Sequence, residues 1–395
     1  MLRAMPIDRA SVDRAVDELS NPLVELSRRI HENPELRWEE HQAALWISES
    51  LEERGEVEVE RAFGGLPTAF RARVGAGKGP RIAILAEYDA LPEIGHACGH
   101  NLIAGGAVGA FLALARHAGE IDGQVEIIGT PAEEGGAGKV RLIEAGAFAG
   151  IDAAMMFHPF DRDVLAHPAL ASRWVEMHFE GTPSHAAAAP WEGKSALTAC
   201  LDTFRLIDSQ RVHFRDGVRV HGFITNGGQA VNIVPERAAC EFSVRARTHA
   251  ELERVLGIVA RCAKGAALAS SVDLELEVRV GYREMLNNMT IARRFGAALE
   301  ALGRTPREGD DRVGAGSTDM GDVSQVVPAI HPYLAICNEG ESLCHEHRFL
   351  ACAASDRGFA TMLVAAKAMA RTTLDLLEDQ ELLQAAKREH QAGLG

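Results

Sequence analysis

Two ligating side chains flank a single glycine at Cys98-Gly99-His100, and two carboxylates stand side by side at Glu133-Glu134. A thiol and an imidazole suit zinc, but two donors in one tight loop cannot complete a tetrahedral shell, so other segments must contribute. The candidates are His158 in FHP and the run Cys344-His345-Glu346-His347. Neighbouring carboxylates on a loop point differently and, held close, cannot both ionise freely, which invites one to ligate and the other to carry a proton. A glutamate beside a metal-activated water is the arrangement by which metallohydrolases make a nucleophile near neutral pH and then protonate a leaving amine. Each fragment alone also has a plainer reading. Cys98 could be a buried thiol with His100 at a helix cap, His158 a packed core imidazole, and Glu133-Glu134 a solvated acidic turn before a helix.

The placement of these fragments decides between the readings. Short apolar or β-branched runs at 67–73, 81–86, 124–130, 153–157 and 332–337 read as strands. Helical spacing marks 8–31, 37–54, 101–118, 138–146, 289–302 and a long C-terminal stretch from about 355. This alternation predicts an α/β catalytic domain, a mixed sheet covered by helices, in which ligands gather beyond the carboxyl ends of the strands. RIAILA runs into Glu87 and Asp89 and on to His96, Cys98 and His100; VEIIGT runs into Glu133-Glu134; AAMMF ends at His158; PYLAIC precedes Cys344 to His347. Four strand ends thus deliver thiol, imidazole and carboxylate groups to one edge. Within this frame, residues 171–281 read strand, helix, strand, strand, helix, strand, the order of an inserted ferredoxin-like α+β domain. The expected division is 1–170 and 283–395 as a discontinuous metal-binding catalytic domain and 171–282 as an inserted dimerisation or lid domain.

Bulk properties narrow the partners. A chain of 395 residues exceeds what one core usually serves, in keeping with two domains. A formal charge of -15 argues against nucleic-acid and anionic-membrane surfaces and leaves a small molecule as the expected partner. The start of the chain lacks the apolar core of a secretory signal, and no apolar run reaches the roughly 18 residues of a membrane span, so a cytoplasmic location is expected. Seven widely spaced cysteines do not suggest a disulfide framework.

The motifs HENPELRWEE (31–40), AEYDALPEIGHACGHN (86–101), PAEEGGAGK (131–139), FHP (157–159), GTPSHAAAAPWEGKSA (181–196) and GGQAVNIVPERA (227–238) occur in fixed order almost end to end. Together they resemble the dinuclear-metal aminoacylase and peptidase family, nearest the branch of auxin-conjugate, hippurate and aminobenzoyl-glutamate hydrolases and β-alanyl-lysine dipeptidases. The resemblance implies a homodimeric amidohydrolase with two divalent ions, zinc or manganese, acting on a small N-acyl-amino acid or dipeptide-like substrate. It implies Cys98, His100, Glu134, His158 and His345 as ligands, Glu133 as general base and Asp89 as the acidic residue that orients a ligand or the base. Glu87 stands where many relatives carry a ligating histidine and is left outside the ligand set; His345 is preferred to His347. His185 matches the donor to the developing oxyanion, Asn232 and Arg245 match substrate-binding positions, and Gly316, Ser317, Thr318 and Asp319 match a loop lining the pocket. That loop, GSTDMGDVS, departs from the SEDF-type pattern of the auxin-conjugate hydrolases. A rival from another class is a non-catalytic metal- or peptide-binding module on the same scaffold; it predicts a lost base or lost ligands, and none is lost here.

Overall fold

The computed structural model describes residues 6–75, 78–309 and 316–394. In chain order the first part carries α1 (Arg9–Glu18), α2 (Ser20–Glu32), α3 (His41–Gly55), β1 (Val59–Arg61), β2 (Phe70–Val74), β3 (Arg81–Ala86), α4 (His100–Ala115) and β4 (Gln124–Gly129). Next come a distorted single turn α5 (Glu133–Gly136), α6 (Gly138–Glu144), β5 (Ala153–Met155) and β6 (His158–Phe160). The middle contains β7 (Ala171–Glu180), α7 (Ala196–Gln210), β8 (Arg219–Asn226), β9 (Arg237–Ala246), α8 (His249–Ser270) and β10 (Asp273–Val278). The last part carries α9 (Met289–Ala301), α10 (Met320–Val326), β11 (Ala329–Ile330), β12 (Tyr333–Ala335), α11 (His347–Ala353), α12 (Asp356–Glu378) and α13 (Gln380–Gly393).

Short polar side chains set many of the helix starts. Asp8, Ser195, Thr248, Asn288, Ser355 and Asp379 each accept a hydrogen bond from a backbone N–H of the first turn, satisfying a donor that has no partner inside the helix. The single helix expected over 8–31 is two, broken at Leu19, with Pro22 in the first turn of α2, where a missing N–H costs nothing. Asp379 likewise divides the C-terminal stretch by capping α13.

Two compact units result, one formed by residues 1–168, 285–315 and 319–395, the other by 169–284 with 316–318. The larger unit is built on a six-stranded sheet in the order β1-β2-β4-β3-β5-β11. Strands β4, β3, β5 and β11 run parallel, and β2 lies antiparallel to β4, so four carboxyl ends share one edge. Helix α4 is buried over fifteen of its sixteen residues and packs against α2, α12 and β3, which is why its sequence has no polar face. One expectation needs correction. PYLAIC contributes β12 to a separate two-stranded sheet with β6, and the fourth strand of the main edge is β11. A three-residue apolar strand carries no information about its partner, and pairing is decided by what it meets in space.

The smaller unit is ferredoxin-like. Its antiparallel sheet has the order β10-β7-β9-β8, with α7 and α8 packed on one face around Val175, Met177, Phe179, Phe242 and Val244. Alternation along β7 and β9 sends these side chains to the helices and Trp174, Glu176, Glu241 and Ser243 to the other face.

Candidate metal centre

The loop after β3 brings Cys98 and His100 to the sheet edge through Gly99, which has φ +81° and whose absent Cβ would lie 2.8 Å from Pro159 Cγ. Only glycine meets both demands. The loop after β4 turns at Ala132, φ +58°, and presents Glu133 and Glu134; β6 opens with His158; and His345, φ +72°, is tied by its backbone N–H to the Ala97 carbonyl at 2.9 Å. Two non-glycine residues held at positive φ beside one cluster are local strain that the surrounding fold has to maintain.

Donor atoms converge in overlapping groups, each with its members within 4.8 Å of one another: Cys98, His100 and His158; Cys98, Glu134 and His345; His100, Glu133 and Glu134. All five expected ligands and the expected base are therefore gathered, whereas His347 opens α11, is exposed, and joins no such group among the described residues. Hydrogen bonds aim the rings. His158 Nδ1 lies 2.7 Å from the Pro159 carbonyl and so carries the donated proton, leaving the Nε2 lone pair 3.5 Å from Cys98 Sγ. His100 Nδ1 is 2.9 Å from Asp89 Oδ1, and Asp89 Oδ2 accepts the Glu134 backbone N–H at 2.8 Å, so one carboxylate orients two of the donors. His345 Nε2 stands 3.2 Å from Glu134 Oε1.

The electrostatics ask for a cation. Burial disfavours charge on His100, yet Asp89 and Glu87 outweigh it and hold the imidazole well above its ordinary range. Burial, followed by repulsion from Glu134, Glu87 and Asp319, pushes the Glu133 carboxyl well up. His100 Nε2 and Glu87 Oε2 are buried, make no hydrogen bond, and face each other across 3.4 Å. Unsatisfied nitrogen and oxygen atoms amid surplus negative charge, with a thiol alongside, are the donor chemistry that divalent ions take. The residues present fit such ions.

Beyond the expected ligands and base stand Glu87, expected outside the ligand set, Asp319, expected in the pocket-lining loop, and Lys139 and His331, for which the sequence suggested no role. Lys139, Glu87 and Asp319 form a buried ion cluster beside Glu133. His331, following β11, is buried edge-on to His158 at 5.4 Å between ring centroids. Cys344 interacts with Cys98, and its thiol reaches the Pro159 carbonyl at 3.7 Å. A lysine in PAEEGGAGK and an aspartate in GSTD were visible signals, but neither spacing nor periodicity says that they meet.

The other expected residues belong to the smaller unit. His185 is exposed, its Nδ1 accepting the backbone N–H groups of Ala187 and Ala188 at 3.2 Å each, which places the ring proton on Nε2. Its loop is joined to that of Asn232, whose carbonyl accepts the Ala186 N–H at 3.0 Å. Arg245 is half-buried on β9 opposite Arg219, and no ion pair is found for it among the described residues. Gly316 accepts the Leu170 N–H at 2.8 Å, and Ser317 and Thr318 continue that segment.

A mixed sheet with metal-suited donors at its carboxyl edge, joined to an inserted ferredoxin-like unit, defines a two-unit metallohydrolase architecture. Residues 83–372 match the model of peptidase family M20/M25/M40, and this chain belongs to that family. It is a metal-dependent amidohydrolase. The chain is 38% identical to an Xaa-Arg dipeptidase of Mus musculus over 98% of its length and 93% of the relative's. It is 29% identical to a p-aminobenzoyl-glutamate hydrolase component of Escherichia coli, covering 96% and 94%. Among solved structures, an aminobenzoyl-glutamate utilization protein from Klebsiella pneumoniae superposes with a TM-score of 0.74 at 18% identity, covering 92% of this chain and 98% of the other. A dinuclear metal-binding peptidase of the same family from Bacillus subtilis gives 0.67 at 22% identity, covering 92% and 99%. At these identities the two structures speak for the fold.

Proposed function

We propose that the chain hydrolyses the amide bond of a small dipeptide or N-acyl-amino acid, with Glu133 as general base and Cys98, His100, Glu134, His158 and His345 holding two divalent ions. The observation that carries this reading is the overlap of three donor groups on one sheet edge, with Glu133 inside one of them. Ions bound there would supply Lewis acidity to the substrate carbonyl and acidify water. Glu133 takes a proton from the attacking water at a carboxylate oxygen; the water oxygen bonds to the carbonyl carbon; and Glu133 returns the proton to the amine nitrogen as the C–N bond breaks. Asp89 fixes the His100 ring and the Glu134 backbone throughout. The Nε2–H of His185, fixed by its Nδ1 acceptor role, suits donation to the carbonyl oxygen as it gains charge. The Arg245 guanidinium suits a substrate carboxylate, with Asn232 and the 316–318 segment as further substrate contacts.

The thiol favours zinc over manganese, and the relatives' names make Xaa-Arg dipeptides and p-aminobenzoyl-glutamate the first substrates to try. A homodimer is part of the same proposal. The test is Glu133→Gln, which keeps shape and removes the base. kcat on the best dipeptide is expected to fall by a factor of about 10²–10⁴ with the ion content unchanged by elemental analysis. A wild-type rate in the ion-loaded variant would overturn the assignment.

A further inference from the structure

Carboxylate oxygens of Glu87, Glu133 and Asp319 lie within 4.8 Å of one another, and all three side chains are buried. Three buried acidic groups at that spacing demand positive charge. Lys139 provides it. Its side chain is fully buried, its Nζ donates to Glu87 Oε1 and, at 2.6 Å, to Asp319 Oδ1, and its backbone N–H donates to Asp319 Oδ2 at 2.9 Å. One residue in the first turn of α6 thereby ties the end of β3 to the start of α10. A second observation shows that the ammonium reaches only one oxygen of Glu87, the other standing 3.4 Å from the His100 imidazole. Glu87 Oε2, in a side chain 1% exposed, makes no hydrogen bond and is turned toward His100 Nε2, also without one.

The donors around the ammonium are all carboxylate oxygens, the set that hard divalent ions take when no protein cation is present. We propose that Lys139 is a positioning residue, the resident cation of the Glu87–Glu133–Asp319 cluster, which holds Glu133 beside the His100–Glu134 donors and closes the cluster to a further divalent ion. The part concerning Glu133 rests on its reading as the general base; the part concerning the cation does not. Lysine suits this task because its compact charge sits at the end of a stem that the core can bury.

The experiment uses the full chain loaded with manganese, comparing wild type with Lys139→Ala, which removes charge and volume, and Lys139→Met, which keeps volume. After equilibrium dialysis and elemental analysis, Lys139→Ala is expected to hold one more manganese per chain than wild type, and Lys139→Ala with Asp319→Asn to lose that extra ion. The melting temperature of Lys139→Ala should rise more steeply with added manganese than that of wild type. Lys139→Met is expected to lose roughly tenfold or more in kcat while KM changes by less than about twofold, the split expected when ground-state binding is untouched. Folded Lys139→Ala with the wild-type ion count would overturn the cation assignment. If Lys139→Ala does not fold, folded Lys139→Met with kcat within about twofold of wild type overturns the positioning role on its own. An extra ion in Lys139→Ala together with a wild-type rate in Glu133→Gln would sink the base and leave the resident cation standing.

Discussion

Glu40 shows how a residue outside the donor set shapes it. Its buried carboxylate accepts the N–H groups of Ala132 at 2.8 Å and Trp38 at 2.9 Å and the Thr68 hydroxyl at 3.0 Å, so it props the left-handed Ala132 that aims Glu133. Burial, and then repulsion from Asp89, raise this carboxyl from 4.5 to about 7. Because the folded chain binds the proton more tightly than the unfolded one, stability from this group is complete below pH 4.5 and is lost as pH rises through about 7. Glu40→Gln removes the titration while keeping an acceptor for the two N–H groups. Relative to wild type its unfolding free energy should improve by up to about 3 kcal/mol between pH 4 and pH 9, read from urea melts at both ends. Parallel pH profiles for the two proteins would refute this. His345 and His347 make the complementary point: their spacing leaves both open, and the backbone of His345, at φ +72° and bonded to Ala97, puts its ring against Glu134.

At the scale of elements, α4 carries the site because it can be approached closely. A Cβ on Gly105 would lie 2.3 Å from Met362 Sδ, one on Gly106 2.5 Å from Phe157 Cε1, and one on Gly109 2.8 Å from Leu23 Cδ1. Phe157 directly precedes His158, so packing at this position also bears on a proposed ligand. Gly106→Val should cost about 1–3 kcal/mol by overpacking and, by displacing Phe157, weaken ion binding as well. Urea melts and calorimetric zinc titration measure the two effects, and full zinc affinity in a destabilised variant would separate packing from ligation. The parallel strands were legible because β3 and β5 are near-continuous apolar runs, as strands buried on both faces tend to be, and β4 is interrupted only by the buried Glu126. The partner of PYLAIC was not, since an equally apolar run is satisfied in any sheet.

For the whole molecule, two separate hydrophobic cores make ion loss a local event. Exhaustive chelation is expected to abolish hydrolysis and to speed amide hydrogen exchange in 96–101, 131–139, 157–160 and 343–347, because uncompensated buried carboxylates then repel one another. Exchange in the β7–β10 sheet should stay as it was. Equal loss of protection in both units would contradict independent cores. The surplus of acidic residues, -15 in formal charge, keeps the surface unsuited to polyanions and sets no feature of the centre itself.

Sequence by itself determined the longer helices, strands β2 to β5, the inserted β-α-β-β-α-β unit and the residue types that follow those strands, because periodicity and turn chemistry are local properties; the short elements β1, β6, β11, α10 and α11 carry too few residues to show a period. It also determined that Glu133 and Glu134 stand together, since adjacency in the chain is adjacency in space. Tertiary structure decided which charges are buried together. Lys139, Asp319 and Glu87 come from three segments far apart in the chain, and a lysine reads as a solvated residue until its partners are found around it. Burying that ammonium is tolerable only where carboxylates offset its lost hydration, a condition that no single segment can express.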